Sequence, residues 1–107
     1  MILIFSLRES LTKIHDATPD EAARWVGEAR RRGAGGSYWC LGNEPYFPGD
    51  RHYLPREAYV ALVKRFAPAM KAADPSIRVG AAMGGPYIEE QADKGRDSFV
   101  VRALKED

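Results

Sequence analysis

Three apolar runs alternate with three segments of helical periodicity along the 107 residues, and this alternation limits the folds open to the chain. A strand followed each time by a helix is typical of a parallel sheet with right-handed crossovers. We therefore predict an α/β fold of three consecutive βα units with a parallel sheet, in one domain over residues 1–107. The predicted strands cover residues 2–7, 37–43 and 77–82, and the predicted helices cover residues 19–32, 55–73 and 98–104.

The first predicted helix has the clearest start. Thr18 fits the N-cap, Pro19 the first helical position, and Glu21 the residue that reaches back to the cap in a capping box. Gly33 follows three arginines and is expected to end the helix. The buried face of this helix is predicted from the spacing of Ala22, Trp25, Val26 and Ala29.

The other two helices carry less regular signals. Pro68 lies inside the second helix, where it removes the hydrogen bond to the carbonyl of Lys64 and is expected to kink or split the helix near Ala67. Asp97 is predicted as the N-cap of the third helix, which would begin at Ser98. The buried face of the second helix is predicted to hold Tyr59, Leu62, Val63, Phe66, Met70 and Ala73.

Composition and charge narrow the classes of function. The chain is 45% hydrophobic and 29% charged, which is typical of a soluble globular protein. A net charge of +1 offers no electrostatic case for nucleic acid, and the basic run at residues 30–32 sits at a helix end, where it offsets the helix dipole. Cys40 is the single cysteine and has no internal disulfide partner. No segment approaches the roughly 20 apolar residues of a membrane helix, so we predict no membrane partner.

A polar pair, Asn43 and Glu44, ends the apolar second strand and is followed by Pro45. The carboxyl ends of parallel strands are where α/β enzymes hold their reacting groups. Partial desolvation there raises the pKa of a glutamate and suits it to act as a general acid, while an asparagine offers a donor and an acceptor to a substrate hydroxyl. Gly42 and Pro45 allow the bend that would bring both side chains to one site. The spacing alone is equally compatible with a solvated loop that begins at Asn43.

The loop after Glu44 is rich in aromatic residues. Tyr46, Phe47 and Tyr53 could form a surface on which a sugar ring stacks, although packing of the loop onto the sheet is the alternative, above all for Phe47. His52 lies in the same loop and could contact substrate, whereas a lone loop histidine is more often only solvated.

No metal or cofactor is predicted from the motifs. The chain lacks a His-Glu-x-x-His motif, a second cysteine and a His/Asp cluster at ligand spacing. The glycine-rich stretch at residues 33–36 lies between a helix and a strand, whereas a phosphate-binding loop runs from a strand into a helix.

Three stretches together resemble one enzyme group. Tyr-Trp-Cys-Leu-Gly-Asn-Glu-Pro at residues 38–45, Thr-Pro-Asp-Glu-Ala-Ala at 18–23 and Met-Lys-Ala-Ala-Asp-Pro-Ser-Ile-Arg-Val-Gly at 70–80 are similar to retaining glycoside hydrolases of clan A, most of all α-L-arabinofuranosidases and related hemicellulases and cellulases. The resemblance implies about strands 3 to 5 of a TIM (β/α)₈ barrel. It also implies that Glu44 is the general acid/base, that Asn43 binds the sugar's 2-hydroxyl, and that the partner is an oligo- or polysaccharide.

The second carboxylate of such an enzyme is not evident. A retaining glycosidase needs a nucleophile about 5 Å from the acid/base, and the resemblance places it on the seventh barrel strand, beyond Asp107. For the other acidic residues in and after the loop, solvated or helix-capping roles are expected; these are Asp50, Glu57, Glu89 and Glu90. A full barrel takes roughly 250 residues, so we expect a partial catalytic domain that is inactive in isolation.

Two alternatives stay open. One is a non-catalytic carbohydrate-binding or interaction module derived from such a barrel, and the other is an unrelated three-layer α/β domain. If the chain is cut from a barrel, the helices should cover one face of the sheet and leave an exposed apolar face on the other.

Overall fold

The computed structural model describes residues 2–5, 18–42, 45–49 and 53–105. Helices and strands alternate along these residues, with two wider turns of π-helical type at Arg30–Ala34 and Ile88–Ala92. The strands are β1 Ile2–Phe5, β2 Tyr38–Leu41 and β3 Arg78–Ala81, and the helices are α1 Pro19–Ala29, α2 Arg56–Ala73 and α3 Arg96–Lys105.

The sheet is parallel, with β2 between β1 and β3. Tyr38 at the start of β2 pairs with Arg78 of β3, and Leu41 at its end pairs with Ala81. A parallel sheet combined with helices agrees with the predicted α/β class. The derivation of these elements from a barrel stays a prediction.

The helices cover one face of the sheet at the described positions. Trp39 and Leu41 of β2 are buried in the core with residues of all three helices, and Val79 of β3 packs against the same cluster. The opposite face was expected to be exposed and apolar, and on β2 and β3 it is exposed but of mixed character. There the guanidinium of Arg78 lies 5.7 Å from the centre of the Tyr38 ring, and this ring is 48% exposed. A cation over an aromatic face is compatible with water, so this surface is not simply hydrophobic.

Helix α2 is the centre of the core. It packs against both α1 and α3, and four of the six residues predicted for its buried face are buried, whereas Leu62 and Ala73 are only partly buried and the buried Val60 was not predicted. The buried residues of α2 are Tyr59, Val60, Val63, Phe66 and Met70.

The start and end of α1 follow the predicted signals. The Oγ of Thr18 accepts a hydrogen bond from the Glu21 N–H at 3.1 Å, and Pro19 occupies the first helical position. Gly33 takes a φ of 92°, a left-handed conformation that favours glycine and stops the helix. Trp25 was expected on the buried face but is 50% exposed. At about 100° per residue it lies to one side of the stripe formed by Ala22 and Val26, so it reaches only the rim of the core.

Two other helix predictions need correction. Helix α2 continues through Pro68 from Arg56 to Ala73, so it is not split near Ala67, while the kink at Pro68 stays a prediction. Helix α3 begins at Arg96 rather than Ser98, and Asp97 is not its N-cap. The carboxylate of Glu89, eight residues earlier, accepts the Asp97 N–H at 3.0 Å and so takes the capping role.

Candidate functional site

The predicted site lies where β2 ends. Three of its five predicted residues, Asn43, Glu44 and His52, fall outside the described residues, and their positions stay predictions. The structure describes Tyr46 and Phe47, together with the residues that immediately flank the Asn43-Glu44 pair.

Tyr46 and Phe47 form an aromatic pair directly after the undescribed residues. Their ring centres are 4.9 Å apart and the ring planes are tilted by 54°. Tyr46 is half-buried, while Phe47 keeps 36% of its surface exposed. An exposed aromatic face beside a strand end is a surface on which a sugar ring can stack.

The hydroxyl of Tyr53, the third aromatic residue of the predicted stacking surface, is bonded to a residue far along the chain. Its hydroxyl donates a hydrogen bond to Asp93 at 3.1 Å, and its side chain is half-buried. Burial and the hydrogen bond to Asp93 both raise the pKa of Tyr53. The loop that follows β2 is thus fastened through Tyr53 to the turn before α3.

A buried charge cluster lies around the Tyr53–Asp93 hydrogen bond, and no sequence pattern predicted it. The side chain of Arg96 is fully buried, and its Nη1 donates to the carbonyl of Leu54 at 2.6 Å and to Asp93 at 3.1 Å. Its guanidinium also lies 5.5 Å from the ring centres of both Tyr53 and Tyr59. Burying a cation costs free energy unless the cation is paired, and Asp93 supplies the carboxylate that pairs with the buried Arg96.

Asp93 accepts from more than one cation. Arg56, at the start of α2, donates to it from Nη2 and also bonds the carbonyl of Lys94 at 2.7 Å. Burial raises the pKa of Asp93, but the hydrogen bonds from Arg56, Arg96 and Tyr53 outweigh burial and the pKa is lowered overall. The carboxylate thereby joins the loop after β2, the start of α2 and the start of α3.

Tyr59 connects the ends of two strands. Its hydroxyl donates to the carbonyl of Leu41 at 2.7 Å and accepts the N–H of Ala82 at 2.7 Å. The sequence pattern placed Tyr59 on a buried face but carried no sign of these bonds, because the partners lie far along the chain.

The loop after β3 is held from α3. The N–H groups of Gly84 and Gly85 donate to the Asp97 carboxylate at 3.1 and 2.9 Å. A Cβ added at Gly84 would lie 2.3 to 2.9 Å from carbons of Ile88, whose side chain is fully buried. This turn therefore has no space for any side chain at Gly84.

We expect Gly84→Ala to lower the free energy of unfolding by about 1–3 kcal/mol, because the methyl group must displace Ile88 from the core. The matched control is Gly80→Ala on the open face of β3, where the nearest atom to an added Cβ is the Trp39 carbonyl oxygen at 4.0 Å. Urea unfolding of both variants measures the difference. Equal stabilities would show that the turn relaxes around the added methyl.

Glu89 is one of the acidic residues for which a solvated or helix-capping role was expected. Glu89 accepts hydrogen bonds from the Ser98 hydroxyl and from the N–H groups of Asp97 and Ser98. The Ser98 hydroxyl is the main cause of the lowered pKa of Glu89. The expected capping role of Glu89 is confirmed, whereas Glu57 and Glu90 are exposed.

Other chemistries find no support in the part of the chain that the structure describes. No group of three or more histidine, cysteine or acidic side chains there could hold a metal ion. None of the helices there is long and apolar enough to cross a membrane.

Burial raises the pKa of the Cys40 thiol, which favours the unreactive protonated form. A groove of about 450 Å³ between α2 and α3, lined in part by Val63 and Leu104, contains no predicted site residue.

Comparison of the chain with protein-family models, with curated proteins and with solved structures gives no match.

Proposed function

We propose that the chain is part of the catalytic domain of a retaining glycoside hydrolase of clan A, arabinofuranosidase-like in its substrate class. Glu44 is the general acid/base and Asn43 the group that binds a sugar hydroxyl. The observation that supports this most is position: the Asn43-Glu44 pair follows one residue after the end of β2, the central strand of a parallel sheet. Reacting groups in α/β enzymes gather at this end of the strands.

The arrangement of the layers supports a barrel origin. Helices cover one face of the sheet at the described positions, as they cover the outside of a (β/α)₈ barrel. The proposal identifies β1, β2 and β3 with about strands 3 to 5 of such a barrel. The exposed Tyr38 and Arg78 then belong to the face turned toward the barrel interior.

The proposed reaction uses two carboxyl groups, one as general acid/base and one as nucleophile. Glu44 donates its proton to the glycosidic oxygen as the bond from that oxygen to the anomeric carbon breaks, and the sugar is transferred to a carboxylate nucleophile. Glu44, now ionised, then takes a proton from the water that releases the sugar. The nucleophile comes from a later strand outside these residues, so the 107-residue piece alone is inactive.

The proposal is tested by expressing the chain together with its neighbouring coding sequence and assaying an aryl arabinofuranoside and an aryl glucoside. Wild type should hydrolyse one of them, and Glu44→Gln should be strongly impaired because the amide cannot give up a proton. Glu90→Gln, an exposed acid-to-amide change, is the control and should keep full activity. Undiminished hydrolysis by Glu44→Gln would end the assignment.

The aromatic pair favours a second candidate, a carbohydrate-binding module without catalysis. Tyr46 and the exposed ring of Phe47 suit sugar stacking whether or not a nucleophile is present. The neighbouring coding sequence separates the two functions, because a later strand that ends in glutamate supports the hydrolase. If there is none, binding of an oligosaccharide that is lost in Phe47→Ala would support the binding module.

A further inference from the structure

The hydroxyl of Tyr59 lies at the end of β2, shortly before the predicted site in the sequence. It donates to the carbonyl of Leu41, the last residue of β2, and accepts from the N–H of Ala82, directly after β3. The side chain is fully buried, and this burial raises the pKa of Tyr59 to about 12. The hydroxyl therefore keeps its proton, and so both bonds, throughout the neutral range.

The residue after Leu41 is packed against the same tyrosine. Gly42 has a φ of 88°, and a Cβ added there would lie 3.3 Å from Cγ of Pro45 and 3.6 Å from Cε1 of Tyr59. A side chain at this position would be strained by the backbone and crowded by both rings. The chain thus turns sharply at Gly42, with the Tyr59 ring as one wall of the turn.

The other flank of the Asn43-Glu44 pair is fixed as well. Pro45 is fully buried, and its carbonyl accepts the N–H of Leu54 at 3.0 Å. The carbonyl of Leu54 in turn accepts from the buried Arg96. Leu41 and Pro45 are therefore each held from elsewhere in the fold, and only three residues separate them.

We infer that Tyr59 is a positioning residue, whose hydroxyl fixes the turn at Gly42, from which the chain continues to Asn43 and Glu44. The role of this turn in serving an acid/base group rests on the proposed function. The hydrogen bonds from Tyr59 to Leu41 and Ala82 are observed in the structure and do not depend on that function. General acid catalysis requires the carboxyl group within hydrogen-bond reach of the leaving oxygen, so a small displacement of this turn weakens proton transfer. Tyr59→Phe keeps the ring in the core and removes only the hydroxyl.

The first test uses the 107-residue chain and amide hydrogen exchange resolved by residue. In Tyr59→Phe, exchange of the Ala82 N–H should rise roughly tenfold, the factor for one lost hydrogen bond. Tyr87→Phe removes a hydroxyl from a side chain that is 60% exposed, and it should leave this exchange unchanged. Val100→Ala, a buried truncation in α3, controls for a general loss of stability. If the Ala82 N–H gains no more exchange in Tyr59→Phe than the other core amides do, the pattern expected of the general loss in Val100→Ala, the inference is overturned.

The second test uses the chain expressed with its neighbouring coding sequence and aryl glycosides of two kinds. A dinitrophenyl leaving group departs without a proton, whereas a phenyl group needs one. Tyr59→Phe should lower kcat/KM about tenfold for the phenyl glycoside, with little loss for the dinitrophenyl glycoside. A simple loss of folded enzyme would lower both equally, and that result would overturn the positioning role.

The two proposals can fail separately. If Glu44→Gln keeps full activity while Tyr59→Phe still speeds exchange at Ala82, the acid/base assignment fails and the structural role of Tyr59 stands. If Glu44→Gln is impaired while Tyr59→Phe changes neither exchange at Ala82 nor leaving-group dependence, the positioning role fails alone.

Discussion

Replacement of Asp93 by alanine should lower the free energy of unfolding by about 3–5 kcal/mol, because it leaves the buried Arg96 without its carboxylate. Arg96 has no exposed surface, and its Nε and Nη2 have no hydrogen-bond partner among the described residues. Asp93 also accepts from Arg56 and Tyr53, so its removal releases the loop after β2 as well as α3.

Urea unfolding of wild type and variants measures this loss. Glu90→Ala removes an exposed acid from the same segment and should change the stability by no more than about 0.5 kcal/mol. Adding Arg96→Met to Asp93→Ala should restore part of the loss, because it removes the uncompensated buried charge. A loss below about 1 kcal/mol in Asp93→Ala, with no recovery in the double variant, would show that Arg96 is stabilised without Asp93.

The same carboxylate predicts a dependence of stability on acid. The pKa of Asp93 is lower in the folded chain than the ordinary value of about 3.9, because the bonds from Arg56, Arg96 and Tyr53 outweigh burial. Its stabilising contribution is therefore complete above that ordinary value and is lost as the pH falls through the folded pKa. Asp93→Ala should lose less stability than wild type between pH 5 and about pH 2. Thermal unfolding across that range measures the difference, and parallel curves would contradict it.

Local signals predicted much of the fold. The cap at Thr18 and Pro19 needs only neighbouring residues, and the buried face of α2 follows from helical spacing alone. The parallel order of the strands follows from their alternation with helices. Features of this kind are decided within a few residues, where sequence patterns are informative.

Features set by distant partners were not predictable. Arg96 looks like a surface arginine in the sequence, and its burial depends on Leu54, 42 residues away. Glu89 rather than Asp97 caps α3, because the turn between the two residues brings the Glu89 carboxylate to the start of the helix. The hydroxyl of Tyr59 bonds to partners 18 and 23 residues away, and helical periodicity carries no information about such distant partners. In the candidate site, the sequence identified the polar pair, while the buried groups that fix its flanks emerged only from the structure.

The second large effect is expected at Glu44 and concerns activity. A glutamine at this position keeps the size and polarity of the side chain but cannot protonate a leaving group. General acid/base groups contribute about 10²–10⁴-fold to rate, so the loss should be of that order where the leaving group needs a proton. Where the leaving group departs unaided, the same variant should retain most of kcat/KM.

The most direct measurement of this claim is kcat/KM of wild type and Glu44→Gln, expressed with the neighbouring coding sequence, for a phenyl and a dinitrophenyl glycoside of the sugar that wild type accepts. We predict a loss of about 10²–10⁴-fold for the phenyl glycoside and a far smaller loss for the dinitrophenyl glycoside. Equal losses for the two substrates, or no loss for either, would contradict the assignment of Glu44 as the acid that protonates the glycosidic oxygen.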